Sequence, residues 1–206
     1  DENVPLVVPE VNPEAIKENH GIIANPNCST IQAVVALKPL DDKYKIKRIV
    51  YSTYQAVSGA GLGGWNDLKN GLSGEQPSKF PHPIANNCLP HIDVFLPDGY
   101  TKEEMKMVNE TRKILGRQDI RITATTVRVP VFNSHSESIN VEFEKPFEMK
   151  ELVETHKNAP GKIVQDDPEH NVYPMAITAT GTNETYVGRI RRDDSVVSGV
   201  NRWVVA

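Results

Sequence analysis

The spacing of hydrophobic residues along the chain predicts an alternation of strands and helices. Strands are predicted where β-branched and aromatic residues cluster or alternate with polar ones, at 4–8, 21–24, 45–54, 120–131, 136–144, 175–180 and 184–192. Helices are predicted where apolar residues recur at helical spacing, over 29–38, 57–72, 102–115 and 148–158, with a short helix or turn over 13–19. We expect Pro39 to end the helix over 29–38, because proline lacks the amide hydrogen that an interior helical position needs.

Local signals sharpen several of these elements. Thr101 followed by Glu104 is the pattern of a capping box, and Gly116 supplies a stop signal for the helix over 102–115. Asn183 predicts a hairpin turn between the strands at 175–180 and 184–192. The segment 73–91 is rich in Pro, Gly, Ser, Asn and His, which predicts a long ordered loop.

The order of the elements predicts an α+β fold. Strands separated by helices come first and paired strands follow, which favours a mixed, largely antiparallel sheet with helices on one face. The other face then needs a cover, which a partner subunit could supply. Both ends of the chain lie in apolar runs instead of polar, frayed residues, so we expect the chain to be part of a larger protein.

Composition excludes several classes of protein. The chain has 206 residues, of which 38% are hydrophobic, and no run of eighteen apolar residues, so no membrane span is expected. A net charge of −4 gives no reason to expect a nucleic-acid partner. Two cysteines, Cys28 and Cys88, are too few for a disulfide framework and suit a reducing cytoplasm.

Cys28 is the first candidate for chemistry. It follows Asn25, Pro26 and Asn27, so it lies in a polar turn just before a predicted helix. The N-terminus of a helix stabilises a thiolate, and its free amide groups can bind the oxyanion of an attacked carbonyl. The alternative is a small buried side chain, which is the commonest environment of a free cysteine.

Two further groups of residues could serve such a nucleophile. His135 is a candidate acid or base, and Arg128 on a predicted strand suits bidentate binding of a carboxylate. Glu103 and Lys106 are three residues apart and therefore share one face of the predicted helix. The alternatives are a surface histidine, a solvated arginine and an exposed ion pair.

A glycine-rich segment follows the predicted strand at 45–54. Gly59, Gly61 and Gly64 formally match G-x-G-x-x-G, but the second strand and acidic residue of the dinucleotide motif do not follow. We expect these glycines to allow close backbone approach to a ligand or a neighbouring helix. The histidines show no spacing typical of a metal site, so no metal is expected.

Several motifs in one order carry a resemblance to a known family. They are Asn25-Pro26-Asn27-Cys28-Ser29-Thr30, Gln55 with Ser58-Gly59-Ala60-Gly61, Arg128, and Ser134-His135-Ser136-Glu137. Together they resemble the aspartate-β-semialdehyde dehydrogenases, most closely the bacterial form, over nearly the whole chain. The resemblance implies an architecture like the C-terminal domain of glyceraldehyde-3-phosphate dehydrogenase.

The resemblance implies specific roles for these residues. Cys28 would be the acyl-forming nucleophile, His135 the acid/base, and Gln55 would hold and orient the substrate. The substrate-binding residues would be Arg128 for the α-carboxylate, Glu103 for the ammonium, Lys106 for the phosphate, together with Asn27 and Gln55. The reaction implied is the NADPH-dependent reduction of L-aspartyl-β-phosphate to L-aspartate semialdehyde, in the biosynthesis of lysine, threonine and methionine.

The resemblance also implies a cofactor, partners and boundaries. Ser58 and Gly59 would lie against the nicotinamide end of NADP(H), most of whose binding site would be in a separate nucleotide-binding domain. Residues 1–24 would be a remnant of that domain, 25–194 the catalytic and dimerisation domain, and 195–206 the start of a segment returning to it. The chain would form a homodimer or tetramer, bind a small-molecule substrate, bind little or no NADP(H) alone and be inactive alone.

Three alternatives compete with this interpretation. A reductase of the N-acetylglutamyl-phosphate type uses the same chemistry on a substrate without a free ammonium, so a role for Glu103 speaks against it. A cysteine hydrolase would use Cys28 and His135 with water as acceptor and would need no charged clamp. A non-catalytic dimerisation module would need neither residue.

Overall fold

The computed structural model describes residues 3–206, which form one sheet with helices packed on it. The strands are β1 (Ile46–Gln55), β2 (Arg121–Arg128), β3 (Ser136–Phe143), β4 (Lys162–Val164), β5 (Thr185–Asp193) and β6 (Gly199–Val205). The helices are α1 (Cys28–Tyr44), α2 (Gly61–Gly71), α3 (Lys102–Leu115), α4 (Met149–Lys157) and α5 (Ala176–Ala179). Short 3₁₀ helices span Pro13–Glu18, Val57–Ala60 and Pro168–His170.

The sheet is mixed and largely antiparallel. Its strand order is β2-β1-β3-β6-β5-β4. The pairs β1–β2 and β4–β5 are parallel, whereas β1–β3, β3–β6 and β5–β6 are antiparallel. The predicted α+β class and the mixed character of the sheet are therefore confirmed.

Helix α1 covers one face of the sheet and forms the main core with it. Leu37 and Leu40 of the helix are fully buried in one cluster with Ile49, Ile139 and Val204 from three neighbouring strands. Burying each such side chain contributes about 1.5–3 kcal/mol. This packing fixes the N-terminus of α1, where Cys28 lies, relative to the ends of β1 and β2.

The opposite face of the sheet is covered by little of the described chain. The rings of Tyr54 of β1 and Trp203 of β6 contact each other there at a tilt of 42°, with centroids 5.2 Å apart, and Tyr54 is 38% exposed. The short α5 packs on this side, where Ala179 belongs to a cluster with Tyr186 and Val205. The expectation of helices mainly on one face is confirmed.

The prediction that Pro39 ends the first helix is wrong, because α1 continues through it to Tyr44. A proline at this position leaves the carbonyl of Val35, four residues earlier, without its helical donor. Lys162 fills that place, since its Nζ donates to the Val35 oxygen at 3.2 Å. A residue distant in sequence thus lets the helix pass a proline.

Three predicted strands are not strands in the structure. The segments 4–8 and 21–24 make only a single bridge, between Leu6 and Ala24. The segment 175–180 contains α5, because the hydroxyls of Thr178 and Thr180 bond back to the carbonyls of Met175 and Ala176 and favour a helical turn. The predicted hairpin at Asn183 is therefore also wrong.

Other predicted features are confirmed. The amide of Glu104 donates to Thr101 Oγ1 at 3.3 Å, and the amide of Thr101 donates to Glu104 Oε2 at 2.8 Å, which is the expected capping box. Gly116 ends α3 with φ at 66°. The segment 73–91 contains no helix or named strand.

Residues 199–205 have a place that the sequence did not indicate. They form β6, which pairs with β3 on one side and β5 on the other, so they belong to the interior of the sheet. The domain boundaries themselves stay predictions. Across residues 3–206, no helix has both the length and the apolar character needed to cross a bilayer.

Candidate active site

Cys28 is the first residue of α1, and Asn27 caps that helix. The Oδ1 atom of Asn27 accepts hydrogen bonds from the amides of Ser29 at 3.0 Å and Thr30 at 3.3 Å. An N-cap of this type satisfies donors of the first turn that have no partner within the helix. The sequence therefore fixes the backbone around Cys28 through the residue that precedes it.

The environment of the Cys28 thiol differs from that of a simple helix terminus. Cys28 is exposed at the surface of the structure, which excludes the alternative of a small buried side chain. Desolvation by the protein atoms around its sulfur, and then the negative charge of Glu103, still raise the pKa of the thiol. Hydrogen bonding from Ser29 and the charge of Arg128 act in the opposite direction without overcoming it. The donors at the start of α1 thus favour the thiolate, as expected, but desolvation and the Glu103 charge outweigh them.

Glu103 connects three of the predicted site residues. Its Oε1 accepts from Asn27 Nδ2 at 2.8 Å and from Gln55 Nε2 at 3.1 Å, and its Oε2 pairs with Lys106 Nζ at 3.3 Å. Glu103 is itself buried, at 6% exposure, in the first turn of α3. The Lys106 ammonium also pairs with Asp93 at 3.0 Å.

Arg128 and Gln55 reach the same place because their strands are parallel and in register. The two residues are paired at the last position of β1 and β2, so both lie at the same edge of the sheet. Arg128 is 6% exposed, and its Nη1 donates to the Ala56 carbonyl at 2.7 Å. Within residues 3–206 no carboxylate forms an ion pair with this buried guanidinium, whose pKa is lowered by desolvation.

His135 lies beside Arg128 just before β3. It is 7% exposed, and its Nδ1 lies 2.9 Å from the backbone nitrogen of Ala56. Burial, followed by the positive charge of Arg128, lowers the pKa of His135 to about 4. The imidazole is consequently neutral at physiological pH.

Gly59 allows the backbone to approach this pair. A Cβ atom at position 59 would lie 3.0 Å from Arg128 Nη1 and 3.3 Å from His135 Nε2. A Cβ at Gly64 would lie 2.7 Å from the Val57 carbonyl oxygen. The interpretation of the glycines as sites of close approach is confirmed for Gly59 and Gly64. It is wrong for Gly61, where an added Cβ would meet nothing within 4 Å and the backbone has φ at 72°.

A cavity of about 320 Å³ brings most of the predicted residues together. It is lined by Asn27, Cys28, Gln55, Gly59, Ile92, Asp93, Glu103, Lys106 and Arg128. His135 is not one of the lining residues and lies behind Gly59. Ser58 lines a neighbouring, mostly apolar hollow with Gly61, Leu62 and Trp65.

Two acidic residues at this site, Asp93 and Glu110, were not predicted from the sequence. Asp93 lies in a loop, has φ at 67° and pairs with Lys106. No sequence pattern indicated this residue. Glu110 accepts a hydrogen bond from the Asn27 amide at 2.8 Å. Its spacing of seven from Glu103 places both on one face of α3, which was a usable signal.

Metal-binding chemistry has no support in the described part of the chain. Among residues 3–206, no three His, Cys, Asp or Glu side chains converge in a way that could hold an ion.

The chain is similar to known proteins in both sequence and structure. The aspartate-semialdehyde dehydrogenase of Aquifex aeolicus is 59% identical over 215 residues, covering 100% of this chain and 63% of that protein. The Bacillus subtilis enzyme of the same name is 45% identical over 220 residues, covering 100% of this chain and 64% of that protein. The chain thus spans just under two thirds of the length of these relatives.

Solved structures agree with these sequence matches. Aspartate semialdehyde dehydrogenase II from Vibrio cholerae, complexed with ASA, superposes with a TM-score of 0.96 at 46% identity, covering 100% of this chain and 63% of that one. The Candida albicans enzyme with NADP has a TM-score of 0.75 at 26% identity, covering 99% and 62%.

The family described as "Semialdehyde dehydrogenase, dimerisation domain" matches residues 37–206. This match covers most of the chain and confirms the resemblance that the motifs carried. The chain therefore belongs to the semialdehyde dehydrogenase family and contains its dimerisation domain.

Proposed function

We propose that the protein containing this chain reduces L-aspartyl-β-phosphate to L-aspartate semialdehyde with NADPH, through a thioester on Cys28. The observation that carries the proposal is the convergence of Cys28, Arg128, Glu103 and Lys106 on one cavity. The names of the relatives support the same reaction.

The charges of the cavity match those of the substrate one by one. The substrate carries a carboxylate, an ammonium and a phosphate. Arg128 is a buried cation without an ion-pair partner among residues 3–206, and it suits the carboxylate through bidentate hydrogen bonds. Glu103 suits the ammonium. Lys106 can exchange its pairing with Asp93 for the phosphate.

The proposed chemistry begins at the Cys28 sulfur. The thiolate attacks the acyl carbon of the substrate, an S–C bond forms, the C–O bond to phosphate breaks, and inorganic phosphate leaves. Gln55 holds the acyl group in place from the end of β1. Reduction of the thioester leaves an oxyanion on the acyl carbon, and His135 gives it the Nε2 proton to form a thiohemiacetal. When the thiohemiacetal collapses, its S–C bond breaks, its hydroxyl returns the proton to His135, and the aldehyde forms as the Cys28 thiolate leaves.

The residues near Cys28 fit the nicotinamide end of a dinucleotide. Gly59 presents backbone without a side chain beside the cavity, and the hollow next to it is mostly apolar, with Ser58, Leu62 and Trp65 on its wall. Ser58 and Gly59 would hold this end. NADPH, when bound, supplies the hydride that reduces the thioester. A solved relative is described as a complex with NADP.

The assembly and organisation follow the same proposal. We assign residues 25–194 to catalysis and dimerisation, residues 1–24 to a remnant of the nucleotide-binding domain, and 195–206 to the segment leading back to it. A homodimer, or a tetramer built from it, would cover the sheet face that carries Tyr54 and Trp203. Two unpaired cysteines favour a reducing cytoplasm.

The test compares substrates and protein lengths. The longer protein, which also contains the part of the relatives that this chain does not cover, is mixed with aspartate semialdehyde, phosphate and NADP. The formation of NADPH is followed by absorbance. We expect turnover that Cys28→Ser abolishes, and negligible turnover by residues 1–206 alone. Equal rates with N-acetylglutamate semialdehyde would favour the sister reductase, and turnover by Cys28→Ser would exclude the proposed nucleophile.

A further inference from the structure

Helix α3 holds the turn before Cys28 with two carboxylates. Glu103 Oε1 accepts from the side chain of Asn27 at 2.8 Å, and Glu110 Oε2 accepts from the backbone amide of the same residue at 2.8 Å. The two acids are seven residues apart, which is two helical turns, so they project from one face of α3. Asn27 is therefore fixed through both its backbone and its side chain.

The two carboxylates differ in their surroundings. Glu103 lines the cavity and pairs with Lys106. Glu110 does not line the cavity and is half-buried behind the turn. Desolvation raises the pKa of Glu110, while the hydrogen bond from the Asn27 amide lowers it. The position of Glu110 thus suits holding the backbone and not binding substrate.

The backbone of this turn matters because of what it presents to the sulfur. Hydrogen bonding from Ser29 lowers the pKa of the Cys28 thiol, against the desolvation and the Glu103 charge that raise it. The Ser29 amide is oriented by Asn27 Oδ1. If the turn loosens, Ser29 no longer keeps its place beside the sulfur, and the acyl carbon loses its alignment with the sulfur.

We infer that Glu110 is a positioning residue for Cys28, acting through its hydrogen bond to the Asn27 amide. Glu110 touches neither substrate nor cofactor in this account. The inference rests on the proposed role of Cys28 as nucleophile. The positioning role of Glu110 and the nucleophile role of Cys28 can be tested separately, because alkylation of a thiol needs no turnover.

The experiment measures iodoacetamide alkylation of Cys28 against pH in three variants of the chain. Glu110→Gln keeps an oxygen that can accept from the Asn27 amide but removes the charge. Glu110→Asp keeps the charge but withdraws the carboxylate by about one C–C bond, ~1.5 Å. Glu110→Ala removes both. Cys88, an exposed thiol in the same molecule, is the internal control, and Asn109→Ala is an exposed control on the same helix.

We expect Glu110→Ala and Glu110→Asp to slow Cys28 alkylation at pH 7.5 at least threefold and to move its pH midpoint upward. Glu110→Gln should stay within twofold of the unmodified chain, and Cys88 should be unaffected in all variants. In the full-length enzyme the Ala and Asp variants should lower kcat about tenfold and change KM less than twofold.

Three results would overturn the inference. One is an unchanged Cys28 alkylation rate in Glu110→Asp, which isolates the lost contact even if the Ala variant fails to fold. Another is equal slowing in Glu110→Gln and Glu110→Asp. The third is a parallel change at Cys88, which would indicate general loosening of the fold. None of these results bears on whether Cys28 forms a thioester.

Discussion

His135 accepts a hydrogen bond at Nδ1 from the backbone amide of Ala56, at 2.9 Å. An amide nitrogen can only donate, so Nδ1 carries no proton, and the proton of the neutral ring is on Nε2. Of the ring atoms, Nε2 lies nearest to the position that a Cβ of Gly59 would occupy. The neutral histidine therefore turns its N–H toward Gly59, which lines the cavity.

The protonation of His135 gives a first prediction. Because burial and Arg128 lower its pKa to about 4, the ring should remain neutral when the pH falls from 7 to 5. Its Cε1 proton resonance in NMR, assigned by its loss in His135→Asn, should shift little over this range. A midpoint near the ordinary value of about 6.5 would contradict the burial argument.

Glu137 gives a second prediction, on stability. It is fully buried, neither carboxyl oxygen completes a hydrogen bond within the described structure, and burial raises its pKa well above the ordinary value. The native state thus holds a proton that the unfolded state releases, so its contribution to stability is lost as the pH rises above about 4.5.

Replacing Glu137 by glutamine should therefore stabilise the chain more at pH 8 than at pH 5. We expect a difference of at least ~1 kcal/mol between the two effects, measured by urea denaturation. Glu169→Gln, at an exposed residue, is the control and should show no such difference. An equal effect of Glu137→Gln at both pH values would mean that the native state holds the carboxylate ionised.

Lys162 and Pro39 give a third prediction, because both act on the Val35 carbonyl. Pro39→Ala supplies an amide that can donate to this oxygen. While Lys162 is present the oxygen already accepts a hydrogen bond from it, so the added amide contributes less. The substitution should therefore be more favourable in a Lys162→Met background, by about 1 kcal/mol. A double-mutant cycle in urea isolates this coupling, since the cost of removing the lysine charge cancels.

The control for that cycle is Lys150→Met, at an exposed lysine of α4. It should show no coupling to Pro39→Ala. A coupling of zero between Lys162→Met and Pro39→Ala would mean that the lysine does not support the helix at its proline.

Glu103 and Arg128 give a fourth prediction, because they act oppositely on Cys28. The negative charge of Glu103 raises the pKa of the thiol and the positive charge of Arg128 lowers it. Glu103→Gln should speed alkylation of Cys28 at pH 7.5 by about two- to fivefold, and Arg128→Gln should slow it, since the thiolate is the reactive form. Cys88 again serves as the internal control.

Changes in the same direction in both variants would show that packing, and not charge, governs the thiol. The predicted result has a functional consequence for the proposed reaction. A substrate ammonium next to Glu103 would offset its charge and favour the Cys28 thiolate at the moment of attack.

Helix α3 shows what the sequence could predict. Its cap at Thr101, its end at Gly116 and the shared face of Glu103 and Lys106 all follow from local chemistry. The continuation of α1 through Pro39 did not follow, because the lysine that supports it is 127 positions away from Val35.

The candidate site likewise contains residues that the sequence predicted and residues that it did not. Cys28, Arg128 and His135 were identified from motifs. Cys28 and Arg128 line the cavity, and His135 lies next to it, beside Gly59. Asp93 was missed because its contact with Lys106 depends on a loop conformation that no local pattern specifies. Glu110 was missed because its partner is a backbone amide, so its spacing of seven from Glu103 was the one signal that pointed to the same helix face.

The central claim is that Cys28 carries the acyl group. The most direct test mixes the full-length protein with aspartate semialdehyde and NADP in the absence of phosphate, followed by peptide mass spectrometry. The account predicts an aspartyl adduct on Cys28, formed with about one equivalent of NADPH per site and released when phosphate is added. Absence of the adduct, or the same adduct in Cys28→Ser, would contradict the account.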